Sequence, residues 1–365
     1  MNGLRIPFTG IKRQYNNLRT EILDVTDEVL RSGDLMGGNY TAEFENWLAR
    51  RTHNKYAITC HSGTQALEIL ARYHRPTSVN PPRVVVPALT YVATANAFVS
   101  AGWDLHICDT DYYGIMDVKK IPPDVSYQAV VLVGLYGANV DQHRSNWPKI
   151  LIEDGAQHWL AATDAERPCN MAISFDPMKN LNAYGNGGAI VTRDRALLDF
   201  ARAWTNNGKP GHGEIGSNSR MSEVDCAQMM IKTQHIDSWQ QRRKDIAKYW
   251  TQRLAKTGIR CLIDRSNIDS HAFHKFVIEV DRRDGLAREL ERHGIETKVH
   301  YTQPLHELPA YRDYMGPNIL STASAMARRV LSLPIYPELT DLEVEYIIET
   351  VVDCYANINP ELGHA

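Results

Sequence analysis

Short runs of Val, Ile and Leu alternate with stretches of helical spacing along the first two-thirds of the chain, and this alternation limits the fold more than any other feature. The runs are Arg83–Val86, Leu105–Cys108, Ala129–Val133, Ile150–Ile152, Ala172–Phe175 and Ala189–Thr192. Most are almost continuously apolar. A strand wetted on one face alternates apolar and polar residues, whereas a strand covered on both faces does not. Helical patterns such as Thr64–Tyr73 and Tyr91–Ala101 lie between several of them. Strands alternating with helices imply an α/β domain with a mostly parallel sheet.

The pattern changes after residue 235. Ile236–Thr257 reads as one long charged helix, followed by a strand, Lys275–Val280, and helices Asp284–His293 and Asp341–Ile358. A chain of 365 residues also exceeds the size at which one hydrophobic core stops growing. The expected division is therefore an N-terminal arm and large domain over 1–235, and a connecting helix with a small α+β domain over 236–365. Tyr301–Pro317, rich in Pro, His and Tyr, is expected to be an ordered loop of the kind that carries function.

Composition removes several classes of function. The net charge of -3 offers no basic surface for nucleic acid and no polybasic run for a membrane. No apolar run approaches the roughly 18 residues of a membrane span. Residues 1–10 lack the apolar stretch of a signal peptide. The six cysteines are scattered without a C-x-x-C pair, which argues against a zinc site or a disulfide scaffold. A cytoplasmic location is expected.

Four short segments carry candidate chemistry. Lys179, in SFDPMKNLNAYGNGG, follows one strand and precedes a glycine-rich turn. A lysine there is ordinarily a solvated surface residue. Ser174, however, ends the strand with a hydroxyl suited to a phosphate oxygen, and Gly185, Gly187 and Gly188 let the backbone turn tightly under a ligand. A lysine that forms a Schiff base must be partly desolvated, so that its free amine is available near neutral pH.

In ILIEDGAQ, a buried strand delivers Asp154 to its carboxyl end, where ligands of open α/β sheets bind. A carboxylate there could pair with a protonated pyridine nitrogen, or simply cap a helix. Gln157 could donate to a phenolic oxygen. In CHSGTQAL, Gly63 and Thr64 open a helix whose free N–H groups could hold an anion, although many helices start this way for capping alone. In PALTYVATAN, Tyr91 falls at a strand-to-helix junction, where it could stack on a flat ring or be an ordinary core tyrosine.

Taken in order, these segments resemble the DegT/DnrJ/EryC1/StrS family of PLP-dependent sugar aminotransferases. The likeness runs from SGDLMGGNYTAEFENWLA (Ser32–Ala49) to SLPIYPELT (Ser332–Thr340), and its most specific parts are EDGAQ, SFDPMKNL and GSNSRMSEVDCA. The resemblance implies a fold-type I PLP-dependent transferase fold and pyridoxal 5′-phosphate (PLP) as cofactor. Lys179 would carry PLP as a Schiff base, and Asp154 would pair with the pyridine nitrogen. Gln157 would contact the ring oxygen and Tyr91 would stack on the ring. Gly63, Thr64 and Ser174 would hold the phosphate. Asn218 would reach the phosphate in a neighbouring subunit, making a homodimer the working unit.

The implied reaction moves an amino group from L-glutamate to a keto-sugar, expected to be nucleotide-linked and oxidised at C3 or C4. A cyclitol or other free keto-sugar is the near alternative, and a PLP-binding regulatory protein without turnover is the alternative of another class. Related dehydratases have histidine in place of the lysine, so Lys179 favours transamination. The segment VHYTQPLH is similar to the family's sugar-side loop and makes His300, Tyr301 and His306 candidate substrate contacts. Four departures from the family pattern stand out: a shortened stretch between Gln157 and Ser174, Gly134 in place of the common His, Asn186 in place of the common Asp, and Asn207-Gly208 in place of the common His-Gly.

Overall fold

Strand register explains where this chain can build a site. The computed structural model describes residues 4–140, 150–161, 170–213, 215–263, 265–314 and 320–359. Its larger sheet has seven strands, β1 (Tyr56–Cys60), β2 (Arg83–Pro87), β3 (Asp104–Cys108), β4 (Ala129–Val133), β5 (Ile150–Asp154), β6 (Asn170–Ser174) and β7 (Gly188–Thr192), in the order β1-β7-β6-β5-β4-β2-β3. The neighbours from β6 to β3 run parallel, and β7 is antiparallel to both β6 and β1. Gly188 pairs with both Ser174 and Cys60, and Asp154 pairs with Val133. The carboxyl ends of β1, β4, β5 and β6 and the start of β7 therefore share one edge.

The buried Val and Ile residues of β2, β4 and β7 are covered on both faces, as their unbroken apolar runs require. Helix α3 (Gly63–Tyr73) packs on β6 and β7 and buries Ala66, Leu67, Ile69, Leu70 and Ala71. The Ser62 hydroxyl caps it by accepting from the Gln65 N–H at 3.2 Å. Helix α4 starts at Ala93, two residues later than the expected Tyr91, which leaves Tyr91 on the connection.

A second core surrounds a three-stranded antiparallel sheet of β8 (Arg260–Cys261), β9 (Phe276–Glu279) and β10 (Val330–Leu333), ordered β10-β9-β8. Helices α7 (Ile236–Leu254), α8 (Arg283–Arg292) and α10 (Asp341–Ile358) contribute to it. Trp250 of α7 is fully buried, meets Phe276 edge-on at 5.1 Å, and donates to the Val344 carbonyl at 3.0 Å. Truncating a side chain of this size to Ala costs about 3–5 kcal/mol.

The start of the chain joins this second core: Ile6 is fully buried there and bridges to Ile295. Helix α1 (Ile11–Ser32) then crosses to the other part of the molecule, with Leu18, Ile22, Val25 and Val29 buried at helical spacing, and stops at Gly33, whose φ is 77°. Two short 3-10 turns, Leu305–Glu307 and Pro309–Tyr314, give order to the described part of the predicted 301–317 loop.

Candidate active site

The shared strand edge borders a cavity of about 330 Å³, within the range of small-molecule pockets. Gly63, Thr64, Tyr91, Asp154, Gln157, Ser174, Lys179, His300 and Tyr301 all line it. Nine of the eleven residues singled out from sequence thus meet in one place.

Asp154 is buried at the end of β5. Its Oδ2 accepts from the Thr94 hydroxyl at 2.7 Å and its Oδ1 from the Ala156 N–H at 3.1 Å. Thr94 is itself 2.9 Å from the Thr90 hydroxyl. This two-threonine chain, whose Thr90 also lines the cavity, fixes the carboxylate.

Lys179 forms part of the cavity wall, where burial lowers its amine pKa from the usual lysine value, against the opposing pull of Asp154 and Asp176. A depressed pKa leaves more of the nucleophilic free amine at neutral pH.

Ser174 and Gly63 meet so closely that a Cβ on Gly63 would lie 2.6 Å from the Ser174 Cβ. Only glycine lets the first turn of α3 approach the serine in this way. Among the described residues the N–H groups of Gly63 and Thr64 have no acceptor, as at any helix start that awaits an anion. Tyr91 is 56% exposed, so it is a wall residue rather than a core tyrosine, and its ring lies 6.0 Å from that of Tyr301. Gln157 accepts from the Tyr136 N–H at 2.8 Å and donates to the Tyr301 hydroxyl at 3.2 Å, leaving one amide hydrogen uncommitted. His300 holds Ser332 through Nδ1 at 2.8 Å; burial first, then Lys275, Lys298 and Lys179, push its pKa down to about 3.

These residues fit PLP. The glycine-bounded cradle and free helix N–H groups suit a phosphate, the buried carboxylate a pyridinium, and the exposed tyrosine face a flat ring. His274, whose buried Nδ1 lacks a partner among the described residues, lines the same cavity. Among the described residues, no cluster of His, Cys, Asp and Glu is arranged to hold a metal.

Two predicted residues stand elsewhere. His306 is buried, with Nε2 3.0 Å from the Ser324 hydroxyl, and does not line the cavity. The 3-10 turn after Pro304 directs it under α9 (Ser321–Arg329) instead. Asn218 bridges to Asn206 through its backbone, also outside the cavity of its own chain.

The model of the DegT/DnrJ/EryC1/StrS aminotransferase family matches residues 16–352. The chain belongs to that family. A "Pleiotropic regulatory protein" of Geobacillus stearothermophilus is 31% identical over 96% of this chain and 99% of its own length. The dTDP-3-amino-3,4,6-trideoxy-alpha-D-glucose transaminase of Streptomyces venezuelae is 33% identical over 95% of each chain. The crystal structure of NtdA from Bacillus subtilis, with bound cofactor PMP, superimposes with a TM-score of 0.85 at 26% identity, over 96% of this chain and 85% of NtdA.

Seen as a family member, the chain explains some of its own departures. Gly134 is required by His158: a Cβ at 134 would lie 2.3 Å from the His158 Cγ and 2.2 Å from the Ala138 carbonyl oxygen. The His158 Nδ1 accepts from the Gly134 N–H at 3.0 Å, so its Nε2 carries the proton and donates to Glu153 at 2.7 Å. Asn207 and Gly208 form a turn with φ of 57° and 78°. Asn186 lines the cavity and approaches the His61 ring at 3.4 Å. Half of the shortened stretch, residues 162–169, lies outside the described residues.

The sequence reading missed Thr90, Thr94, His274 and Lys275. The first two were visible only as hydroxyls four residues apart in PALTYVATAN. Lys275 was visible as a lysine leading an apolar run.

Proposed function

We propose that this protein transfers an amino group from L-glutamate to a nucleotide-linked keto-deoxysugar, using PLP held on Lys179. The observation that carries the reading is the convergence of Lys179, Asp154, Ser174 and the Gly63–Thr64 helix start on one cavity. When bound, PLP supplies an electron sink that stabilises negative charge at the donor's α-carbon.

The protein's residues divide the remaining work. Asp154, fixed by Thr94 and Ala156, would hold the pyridine nitrogen in its protonated form. Ser174 and the start of α3 would anchor the phosphate, and Tyr91 would cover the ring. The Lys179 amine would accept the α-carbon proton of the amino donor and return it as an acid. Its lowered pKa suits both roles.

The sugar substrate is inferred from the relatives' names, and His300 and Tyr301 are the cavity-lining residues that would meet it. The homodimer is part of this proposal. Leu23, Leu30, Leu35 and Met36 are exposed along and just after α1, an apolar surface fit for a second copy, and Asn218 would then act in the partner's site. The five described cysteines are all free, which supports a reducing compartment such as the cytoplasm. Among the described residues, no helix is long and apolar enough to cross a membrane.

The test is a half-reaction. L-Glutamate should bleach the visible absorbance of the lysine-bound cofactor, and a panel of nucleotide-linked keto-sugars should restore it, with the amino-sugar product identified by mass. A protein that binds PLP but whose spectrum L-glutamate never changes would remove the aminotransferase reading and leave only a PLP-binding protein.

A further inference from the structure

We infer that Lys275 is a substrate-anion site in the wall of the same cavity, taking a carboxylate or phosphate group carried by one of the substrates. The inference rests on the aminotransferase reading for the identity of the substrates, but not for the site itself.

Lys275 directly follows His274 at the entry to β9 and is only 6% exposed, yet it lines the cavity together with Lys179 and His300. Among the described residues its amine has neither a hydrogen-bond acceptor nor a carboxylate within ion-pair distance. The amine lies 4.9 Å from the centre of the Phe8 ring. A second cation converges on the same ring: the Lys298 amine lies 5.3 Å from it. The His300 ring is 5.8 Å from that of Phe8.

The neighbouring charges do not neutralise this end of the cavity. Asp176 borders the cavity and its charge favours the protonated amine, but among the described residues it makes no ion pair with Lys275, and three cations, Lys179, Arg243 and Lys298, oppose it. Glu296 is engaged by the Phe8 N–H at 3.0 Å. Arg243 adds positive charge, its Nη1 donating to the Phe273 and Ile335 carbonyls.

A buried ammonium without a partner is costly, and an apolar residue of equal length would be tolerated better. Burial and the adjacent cations accordingly hold the Lys275 pKa well below the lysine value. An anion in the cavity would supply the missing partner and draw a proton onto the amine.

The reaction scheme makes such a site useful. Amino donor and sugar occupy the same cavity in turn, and each can bring a negative group to the same cation. The carboxylates of an amino acid and the phosphates of an activated sugar are the two sources of that chemistry.

The experiment titrates holoenzyme with glutarate, a dicarboxylate that cannot react, and separately with inorganic phosphate, following the cofactor's visible absorbance and proton uptake. Lys275→Met should weaken binding of at least one of them about ten- to a hundred-fold, the usual scale for losing a charged hydrogen bond. Lys275→Arg should restore most of it. Loss of glutarate binding, with a raised KM for L-glutamate, assigns the site to the amino donor. Loss of phosphate binding alone assigns it to the sugar. The melting temperature of Lys275→Met should equal or exceed that of the parent, which a structural role for the lysine would not allow. If neither anion binds the parent, or both bind the Met variant as well as the parent, the inference is overturned. Failure of L-glutamate to convert the cofactor would instead overturn the aminotransferase reading, and the two titrations would still decide the role of Lys275.

Discussion

Gly63→Ala tests the phosphate cradle with the smallest perturbation the genetic code allows. The added Cβ would lie 2.6 Å from the Ser174 Cβ and 3.2 Å from both its Cα and its Oγ. Carbon atoms in comfortable contact stand about 3.5–4.0 Å apart, so α3 and the end of β6 must separate by about 1 Å. Overpacking of this kind costs about 1–3 kcal/mol. Helix propensity gives back at most about 1 kcal/mol, and less at a first-turn position. The strain has two outlets. If the elements hold their places, it lowers the melting temperature of the apoprotein. If Ser174 yields, the hydroxyl leaves the cradle and the loss appears in cofactor affinity, about 5- to 150-fold for the same energy. Thermal unfolding of the apoprotein and a PLP titration, measured on the same samples, capture both outlets. Adding Ser174→Gly removes the clashing atom, so stability should recover in the double variant while cofactor affinity stays low. A Gly63→Ala protein that melts with the parent and binds PLP equally well would refute this account of the cradle.

Three further outcomes follow from the structure. Thr94→Val keeps the branched shape but removes the 2.7 Å donor to Asp154, and it should slow the L-glutamate half-reaction about ten- to a hundred-fold in single-turnover kinetics with little change in folding. Arg13 grips both Glu343 oxygens at 2.6 and 2.7 Å, and that hydrogen bond first of all holds the Glu343 pKa down to about 2 from 4.5. The pair therefore stabilises the fold fully above pH 4.5 and loses its effect as pH falls from there toward 2. Arg13→Met should cost about 1–2 kcal/mol in denaturant unfolding near neutral pH, allowing for the partly exposed arginine, and the gap from the parent should close in acid. Burial lowers the Lys179 pKa in the apoprotein, and the reactive form is the free amine. PLP capture, followed by stopped-flow absorbance, should thus reach its plateau at a lower pH than capture by a free lysine side chain.

The parallel sheet was legible because burial on both faces leaves continuous Val and Ile runs that no surface strand carries. Ala129–Val133 matches its predicted bounds, and the other five predicted strands differ only by a residue or two at their ends. Strand β1 was missed. Tyr56–Cys60 is short, and it runs directly into the Ser62 cap of α3, so its five residues read as the approach to a helix. The cofactor side of the site was legible because strand ends, a helix start and a lysine are local features placed in order along the chain.

The substrate side was not. His300 and His306 lie in one short segment and look alike in sequence, yet one borders the cavity and the other turns to Ser324. Gly134 and His158 make sense only as a pair packed across two strands. Lys275 leads into the second sheet, and nothing local says that its side chain lines the cavity built by the first.

The central claim is that Lys179 carries the cofactor and gives it up to an amino donor. Borohydride reduction of the holoprotein, followed by peptide mass spectrometry, measures this directly. The account predicts a pyridoxyl phosphate adduct on Lys179 alone, and its disappearance when the protein is first incubated with L-glutamate. An adduct on Lys275 or another lysine, or one on Lys179 that persists after L-glutamate, would contradict it.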